Sequence, residues 1–437
     1  MKEIWTQGLE IPRFPHLEGD TSTEVLVIGG GMAGILCARE LQSRGIECLL
    51  VEGNTIGRGI TSGTTAVLST LHDPLYQDLS ARFGQEPARL YFLANWEALE
   101  KYRTLARRCP CDFQDRPHYR YAMTQVQAER LKTEAELLQR LGFTAEYRKE
   151  TPLPFPVAGA VYLPGMAQFH PLRFLYGLAS SLKIRENTPV LGISNGVAFT
   201  ERGKILARKI IVATHFPLGR FRGLYFMKLY QRRSYVIALG DGPDVEGTYA
   251  GMGPNGISLR NFGGNLFLSG GRHRTGGKGG WETVRSFADR HFPGLPERYA
   301  WANQDCMTLD GLPYVGAFSP HTPDLYVATG FGAWGMTNSM AAATLLADLV
   351  MGKDSPYTAV YSPARSMLRP QLLSNLGHTL SNFLRLTPRR CSHMGCALKW
   401  NPAEHSWDCP CHGSRFTADG AVLDSPAQSA IHPKGKS

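Results

Sequence analysis

The stretch "TEVLVIGGGMAGILCARELQSRGIECLLVEGN", residues 23–54, reads as strand, tight turn, helix and second strand. The uninterrupted apolar run at residues 25–28 suits a strand buried on both faces. Gly29, Gly31 and Gly34 follow it as G-x-G-x-x-G. The first glycine turns the chain, the second lets a pyrophosphate approach the backbone, and the third lets helix and strand pack closely. The pattern predicts a helix from Met32 to about Ser43, stopped by Gly45, with Met32 and Ala33 presenting amides at its positive end. "IECLLVE" then forms a strand ending at Glu52, where a carboxylate can accept hydrogen bonds from ribose hydroxyls. These residues predict a dinucleotide site; whether it takes FAD or NAD stays open from composition.

The rest of the chain bounds the setting. A length of 437 residues suggests two or three domains. At 43% hydrophobic and 19% charged residues the chain can bury a large core. The net charge of +10 is spread out, with a loose cluster at residues 202–233 and no nucleic-acid motif, so a basic enzyme surface is expected and no nucleic-acid partner. "MKEIWTQGLEIPRF" lacks the regions of a signal peptide. The uncharged run 325–347 contains the turn-rich "TGFGAWGMTNS", which argues for a core segment and no transmembrane span. A cytoplasmic location is therefore expected, with Cys37, Cys48, Cys109, Cys111 and Cys306 reduced.

Four further cysteines crowd into "RRCSHMGCALKWNPAEHSWDCPCHGSRF", residues 389–416. The stretch offers C-x-H at Cys391 and His393 and C-x-x-H at Cys409 and His412. One structural zinc could use two sulfurs and two imidazoles from this set, but would leave Cys396 and Cys411 without a task. A Rieske [2Fe–2S] centre needs one sulfur and one nitrogen side by side from each of two loops, which these boxes supply. Both metals remain open at this point.

Between the ends, residues 87–108 and 128–143 carry helical apolar stripes, through Leu90, Leu93, Ala94, Trp96, Tyr102 and Leu105 and then Leu131, Ala135, Leu138 and Leu141. "GISLRNFGGNLFLSGG" alternates and turns at its "GGN", a hairpin, and with "RRSYVIALG" suggests an antiparallel sheet.

The glycine motif, followed by "VEGNTIGRGITSGTTAVLS", "AQFHPLRFLYGLA", "KIIVATHFPL", "MTLDGLPYVG" and "LYVATGFGAWGMTNSMAAATLLADLVMG", resembles the D-amino-acid-oxidase-like FAD-dependent oxidoreductases, which include glycine and sarcosine oxidases. The resemblance covers most of residues 20–352 and implies FAD, with Thr61, Thr64 and Thr65 in a loop near flavin and pyrophosphate. It implies further FAD contacts at Val190 and at a late turn with Gly330, Gly332, Gly335, Met336 and Thr337. Thr337 or Asn338 is expected to cap the next helix and Gly352 to end it. The implied fold is α/β (α+β overall): a Rossmann-like FAD domain with an inserted antiparallel substrate sheet. FAD segments are expected at about 20–80, 155–225 and 300–352, and the substrate domain at about 81–154 and 226–299. Arg260, Arg272 and His273 are the residues expected to face the flavin. An arginine there would clamp a carboxylate, and His273 would act as base or orient the amine. Tyr235 is a weaker candidate.

"CSHMGC" with "CPCHGS" is similar to the Rieske proteins of respiratory and photosynthetic cytochrome complexes. The resemblance implies Cys391, His393, Cys409 and His412 as cluster ligands and a Cys396–Cys411 disulfide between the loops. The strands that usually precede the first box are missing, so residues 387–437 form a shortened, small all-β module. The linker 353–386 carries an apolar helical stripe (Leu368, Leu372, Leu376, Leu380, Phe383, Leu384); with few lysines flanking it, packing on its own protein is expected ahead of a membrane-surface role. Phe416 stands where high-potential Rieske proteins often place a tyrosine that donates to a ligand sulfur, while Ser414 is kept. Together the motifs predict an FAD-dependent dehydrogenase that passes electrons from a small amine or amino acid through the cluster to an external carrier. The reverse flow, a reductase fed by a reduced partner, and a non-enzymatic redox sensor are the alternatives.

Overall fold

The computed structural model describes residues 4–219, 222–387 and 389–431. The predicted βαβ unit forms with β1 at Thr21–Ile28, α1 at Met32–Ser43 and β2 at Cys48–Val51. Beta1 lies central in an eight-stranded sheet, parallel to β2 on one side and to Gly203–Val212 on the other. Strand Leu325–Thr329 joins parallel to Gly203–Val212, so segments far apart in sequence build one sheet. Every side chain from Val25 to Ile28 is buried, as a strand covered on both faces requires. The glycines act by contact: a Cβ on Gly34 would stand 1.8 Å from the Gly29 carbonyl oxygen, and one on Gly29 (φ +113) 2.6 Å from that of Ala213.

A second eight-stranded sheet runs in the order Glu297–Thr308, Leu229–Gly240, Asn265–Arg274, Ser258–Phe262, Thr248–Gly251, His118–Ala122, Gly159–Leu163 and Glu146–Arg148. The hairpin turns at Gly263–Gly264, both at positive φ, as "GGN" predicted. Helices Gln85–Ala106 and Gln125–Arg140 cover the stretches where the apolar stripes fall. The run 325–347 is a buried strand, a turn and helix Gly335–Val350; among the described residues no helix is long and apolar enough to cross a membrane. Thr337 and Asn338 do not cap that helix, because it starts earlier. Trp334 is the cap position and both side chains sit within the first turn, Thr337 donating to the Ser69 carbonyl (3.3 Å) and Asn338 to Tyr91 (3.2 Å).

The C-terminal module is a four-stranded sheet of Lys399–Asn401, Ser406–Asp408, Arg415–Phe416 and Val422–Asp424. It leans on the second sheet through buried polar contacts. Arg233 makes a two-pronged ion pair with Glu404, which also accepts from Arg415 (2.8 Å). Arg415 in turn holds Asp408 and Asp424, each at 3.0 Å. Arg274 donates to the carbonyls of Pro410 (3.0 Å) and Cys411 (3.3 Å), and Gln304 to that of Gly413 (3.0 Å).

The preceding helix, Pro370–Leu384, departs from expectation. Of its leucines only Leu372 is half-buried, while Leu373, Leu376, Leu380 and Leu384 are exposed; its buried residues are Asn375 and Asn382. Asn375 explains the reversal: its side chain donates to Met227 O (3.1 Å) and accepts from Arg274 (2.9 Å), while at Asn382 it is the backbone carbonyl that accepts from Ala397 N (2.9 Å).

Candidate functional site

A cavity of about 840 Å³ runs between the two sheets and reaches the C-terminal module. Gly29, Gly31, Met32, Ala33, Glu52, Thr61, Thr64, Thr65, Val190, Gly330, Gly332, Gly335 and Met336 all line it. Gly34 and Thr337 stand just behind the wall, the first in helix–strand packing and the second on Ser69. Thr61 Oγ1 accepts from Met32 N (3.1 Å) and joins the loop to the helix start. The loop's backbone is pinned by two indoles, Trp5 to Thr64 O (2.8 Å) and Trp301 to Gly63 O (2.9 Å). Glu52 accepts from Gly30 N (2.6 Å) and Asn54 N (2.9 Å), and burial raises its pKa despite those donors. A cleft of strand-end amides, a helix N-terminus and a terminal carboxylate fits a dinucleotide.

The sheet roofing this cavity presents His118, Ser258, Ser269, Arg272 and Asp305. Arg272 donates to Ser258 Oγ (3.2 Å) and lies 4.0 Å from Asp73. His118 Nδ1 bonds Thr248 (2.8 Å), Nε2 is buried without a partner, and burial lowers its pKa to about 3, so the ring stays neutral. Burial pushes the Asp305 carboxyl up to about 6, against the pull of Arg272, Arg232 and Arg233.

Arg260 and His273 are not brought into the cavity. Arg260 shares the face of Ser258 but is covered: it donates to Ala66 O (2.7 Å) and sits against Trp5, Phe262 and Phe267. His273 points the other way, 3.0 Å from the Tyr235 hydroxyl, so Tyr235 is turned away too. A bulge is the cause. The register slips between Arg233↔His273 and Tyr235↔Gly270, with Gly271 at φ +63. The extra residue reverses the alternation, turning Arg272 inward and His273 outward.

The two cysteine–histidine loops are built alike. Cys391 O accepts from Gly395 N and Cys391 N donates to Cys396 O; Cys409 O accepts from Gly413 N and Cys409 N donates to Ser414 O, all at 2.8–2.9 Å. Gly395 and Gly413 close the turns at φ +76 and +85. The His393 and His412 rings stand 5.1 Å apart, and Phe216 faces both at 6.0 and 6.1 Å. His412 is buried with neither nitrogen in regular hydrogen-bond geometry, although the Phe226 backbone interacts with the ring, which suits a metal-ligand nitrogen. The implied Cys396–Cys411 disulfide is not formed: all nine cysteines are free. The sulfurs of Cys396, Cys409 and Cys411 gather within 4.8 Å of one another. The neighbouring thiols of Cys409 and Cys411 favour the thiolate of Cys396 and lower its pKa.

Residues 24–349 match the family of FAD dependent oxidoreductases (DAO) and residues 379–433 the Rieske [2Fe-2S] domain. The chain belongs to that oxidoreductase family, and its cofactors are FAD and a [2Fe–2S] cluster. It is 33% identical to the putative Rieske 2Fe-2S iron-sulfur protein YhfW of Bacillus subtilis (strain 168), over 97% of this chain and 95% of that protein. A shorter likeness, 51% over 41 residues (9% of this chain, 23% of the relative), links it to cytochrome b6-f complex iron-sulfur subunit 2 of Trichormus variabilis. The glycine oxidase of Geobacillus kaustophilus shares the fold at a TM-score of 0.67 and 21% identity, covering 79% of this chain and 99% of the oxidase.

Sequence reasoning missed His118 and Asp305. It also missed a wall of the cavity formed by residues 422–429 of the terminal module, where Gln428 donates to Val190 O (3.3 Å). Nothing in their local spacing marks these residues, since only the pairing of distant strands brings them in.

Proposed function

We propose that this chain is a dehydrogenase that oxidises a small amine or amino-acid-like compound and passes the electrons singly, through its terminal module, to an external carrier. The observation that carries the reading is the shared cavity: Ser392 and His393 of the first cluster loop line the same space as Gly29, Gly330 and Arg272. Bound FAD accepts two electrons and can release them one at a time, which suits a one-electron cluster beside it. The glycine loop residues, Glu52, Thr61, Thr64, Thr65 and Val190 would hold FAD, with Gly330 to Thr337 at its flavin end. Cys391 and Cys409 would bind one iron, His393 and His412 the other.

Arg272 takes the role of carboxylate clamp in this reading, since its guanidinium faces the cavity and its fork matches two oxygens. Neutral His118 and Asp305 are the groups that can hold or take a proton from a substrate amine at the same wall. Phe216, packed edge-on to both histidines, keeps water from the gap between cavity and cluster loops.

The test is an anaerobic screen of amines and amino acids, following flavin absorbance and the paramagnetic signal of the cluster together. One compound should bleach the flavin and then produce the reduced-cluster signal. Bleaching with a cluster that stays oxidised would overturn the relay, and bleaching only from a chemically reduced partner protein would reverse its direction.

A further inference from the structure

Helix Pro370–Leu384 carries an apolar stripe that is largely exposed. Leu373 is 73% exposed, Leu380 62% and Leu384 71%, with Leu368 (87%) before the helix and Leu386 (95%) after it. At 100° per residue, Leu373, Leu376, Leu380, Phe383 and Leu384 fall on one side, largely opposite the face on which Asn375 and Asn382 are buried. A contiguous patch of this kind on an otherwise ordinary surface marks an interaction site. Among the described residues no other element combines so many exposed large apolar side chains.

The charge around the stripe identifies what it meets. Between Asp354 and Glu404 the chain has no acidic residue, but has Arg365, Arg369, Arg385, Arg389, Arg390 and Lys399. Arg365 is taken up by Asp310, and Arg389 and Arg390 are tied in part to backbone carbonyls, while Arg385 is exposed. The helix end opens on a second cavity, of about 750 Å³, where Arg385, Lys278 and Lys399 surround Leu386, Trp400 and Trp407. Leucines to one side, tryptophans and cations at the rim, and no carboxylate is the composition of a segment that lies in a lipid interface. A bilayer interface accounts for the exposed leucines and the cations together, whereas an acidic protein surface accounts for the cations alone.

We infer that the stripe 368–386 seats this protein on an anionic phospholipid surface, the helix lying in the interface and the cations at its end meeting headgroups. The seat adjoins the cluster. Phe383 lies 3.9 Å from where a Gly395 Cβ would stand, and the His378 carbonyl is 4.0 Å from Cys411 Sγ. Attachment would thus hold the first cluster loop close to the bilayer. This inference stands apart from the redox reading, because vesicle binding is measured without turnover.

The experiment is co-sedimentation of the full-length holoprotein with vesicles of phosphatidylcholine alone or mixed with phosphatidylglycerol. The expected result is pelleting with the anionic vesicles, weakened by salt, since each cation near a charged bilayer is worth roughly fivefold in affinity. The triple variant Leu373→Ser/Leu380→Ser/Leu384→Ser should abolish pelleting while keeping the flavin and cluster spectra. Arg385→Glu with Lys399→Glu should cut it by about tenfold or more on the same scale. No pelleting of the wild type overturns the inference, as does pelleting that the triple variant retains, which would assign it to general surface charge. A dimer seen by light scattering, lost in the triple variant and accompanied by no vesicle binding, also overturns it and makes the stripe an interface between copies.

Discussion

Replacing Arg233 with Met should loosen the terminal module from the rest of the molecule. Arg233 and Arg415 face Glu404, Asp408 and Asp424, and all but Asp424 have side chains less than a tenth exposed. The wild-type set carries two positive and three negative charges; without Arg233 one cation faces the same three carboxylates. Breaking a buried pair by removing one partner costs about 3–5 kcal/mol, and Asp424, at 22% exposure, places the cost toward the lower end. Methionine keeps the apolar stem packing, so the change reports mainly the charge. At about 1.4 kcal/mol per factor of ten, the undocked population should rise at least a hundredfold. Limited proteolysis reads this directly, because cleavage of a transiently opened form follows its population. Release of the segment beyond residue 386 should accelerate by that factor. Adding Glu404→Gln should recover part of the loss, with a coupling of about 1–3 kcal/mol between the two sites. Proteolysis unchanged in Arg233→Met, or strictly additive single effects, would refute the view that this ion pair clamps the module.

Arg272→Lys should raise KM for a carboxylate-bearing substrate by about a hundredfold, ~3 kcal/mol, with a smaller effect on kcat; steady-state kinetics on the compound found in the screen decides it. Phe416→Tyr should raise the cluster potential in a redox titration, because Phe416 is fully buried in the same apolar cluster as the loop cysteines and a hydroxyl there would add a donor near the cluster sulfurs; an unchanged potential rejects the assignment. Asp305 is held at about 6 against an ordinary value of 3.8, so the folded state binds its proton more tightly than the unfolded chain and stability from this group declines as pH rises from about 4 to 6. Thermal melts of Asp305→Asn should therefore gain on the wild type across that window and then run parallel; a gap that narrows with rising pH contradicts the raised value.

The residues that were legible in the sequence are those whose job is local. Gly29, Gly31 and Gly34 and the two cysteine–histidine boxes declare themselves by spacing, because one turn of backbone contains the whole requirement. The roof of the cavity was not legible in the same way. Without the bulge at Gly271, His273 would share the face of Ser269 and point at the cavity, as simple alternation predicts; one extra residue hands that position to Arg272. Arg260 is on the expected face, but Trp5, from the far N-terminus, packs over it. The leucine helix misled for a related reason. Hydrophobic periodicity finds the apolar side of a helix, yet here Asn375, with a carbonyl and a guanidinium partner outside the helix, marks the side that faces inward.

Residues 422–429 wall the nucleotide cleft from the terminal module's side, and Gln428 reaches across to Val190. The two redox modules are therefore not beads on a tether. Cutting the gene into two cistrons would leave one product with an unroofed cleft and the other with a bare ionic face, which gives selection a reason to keep them fused.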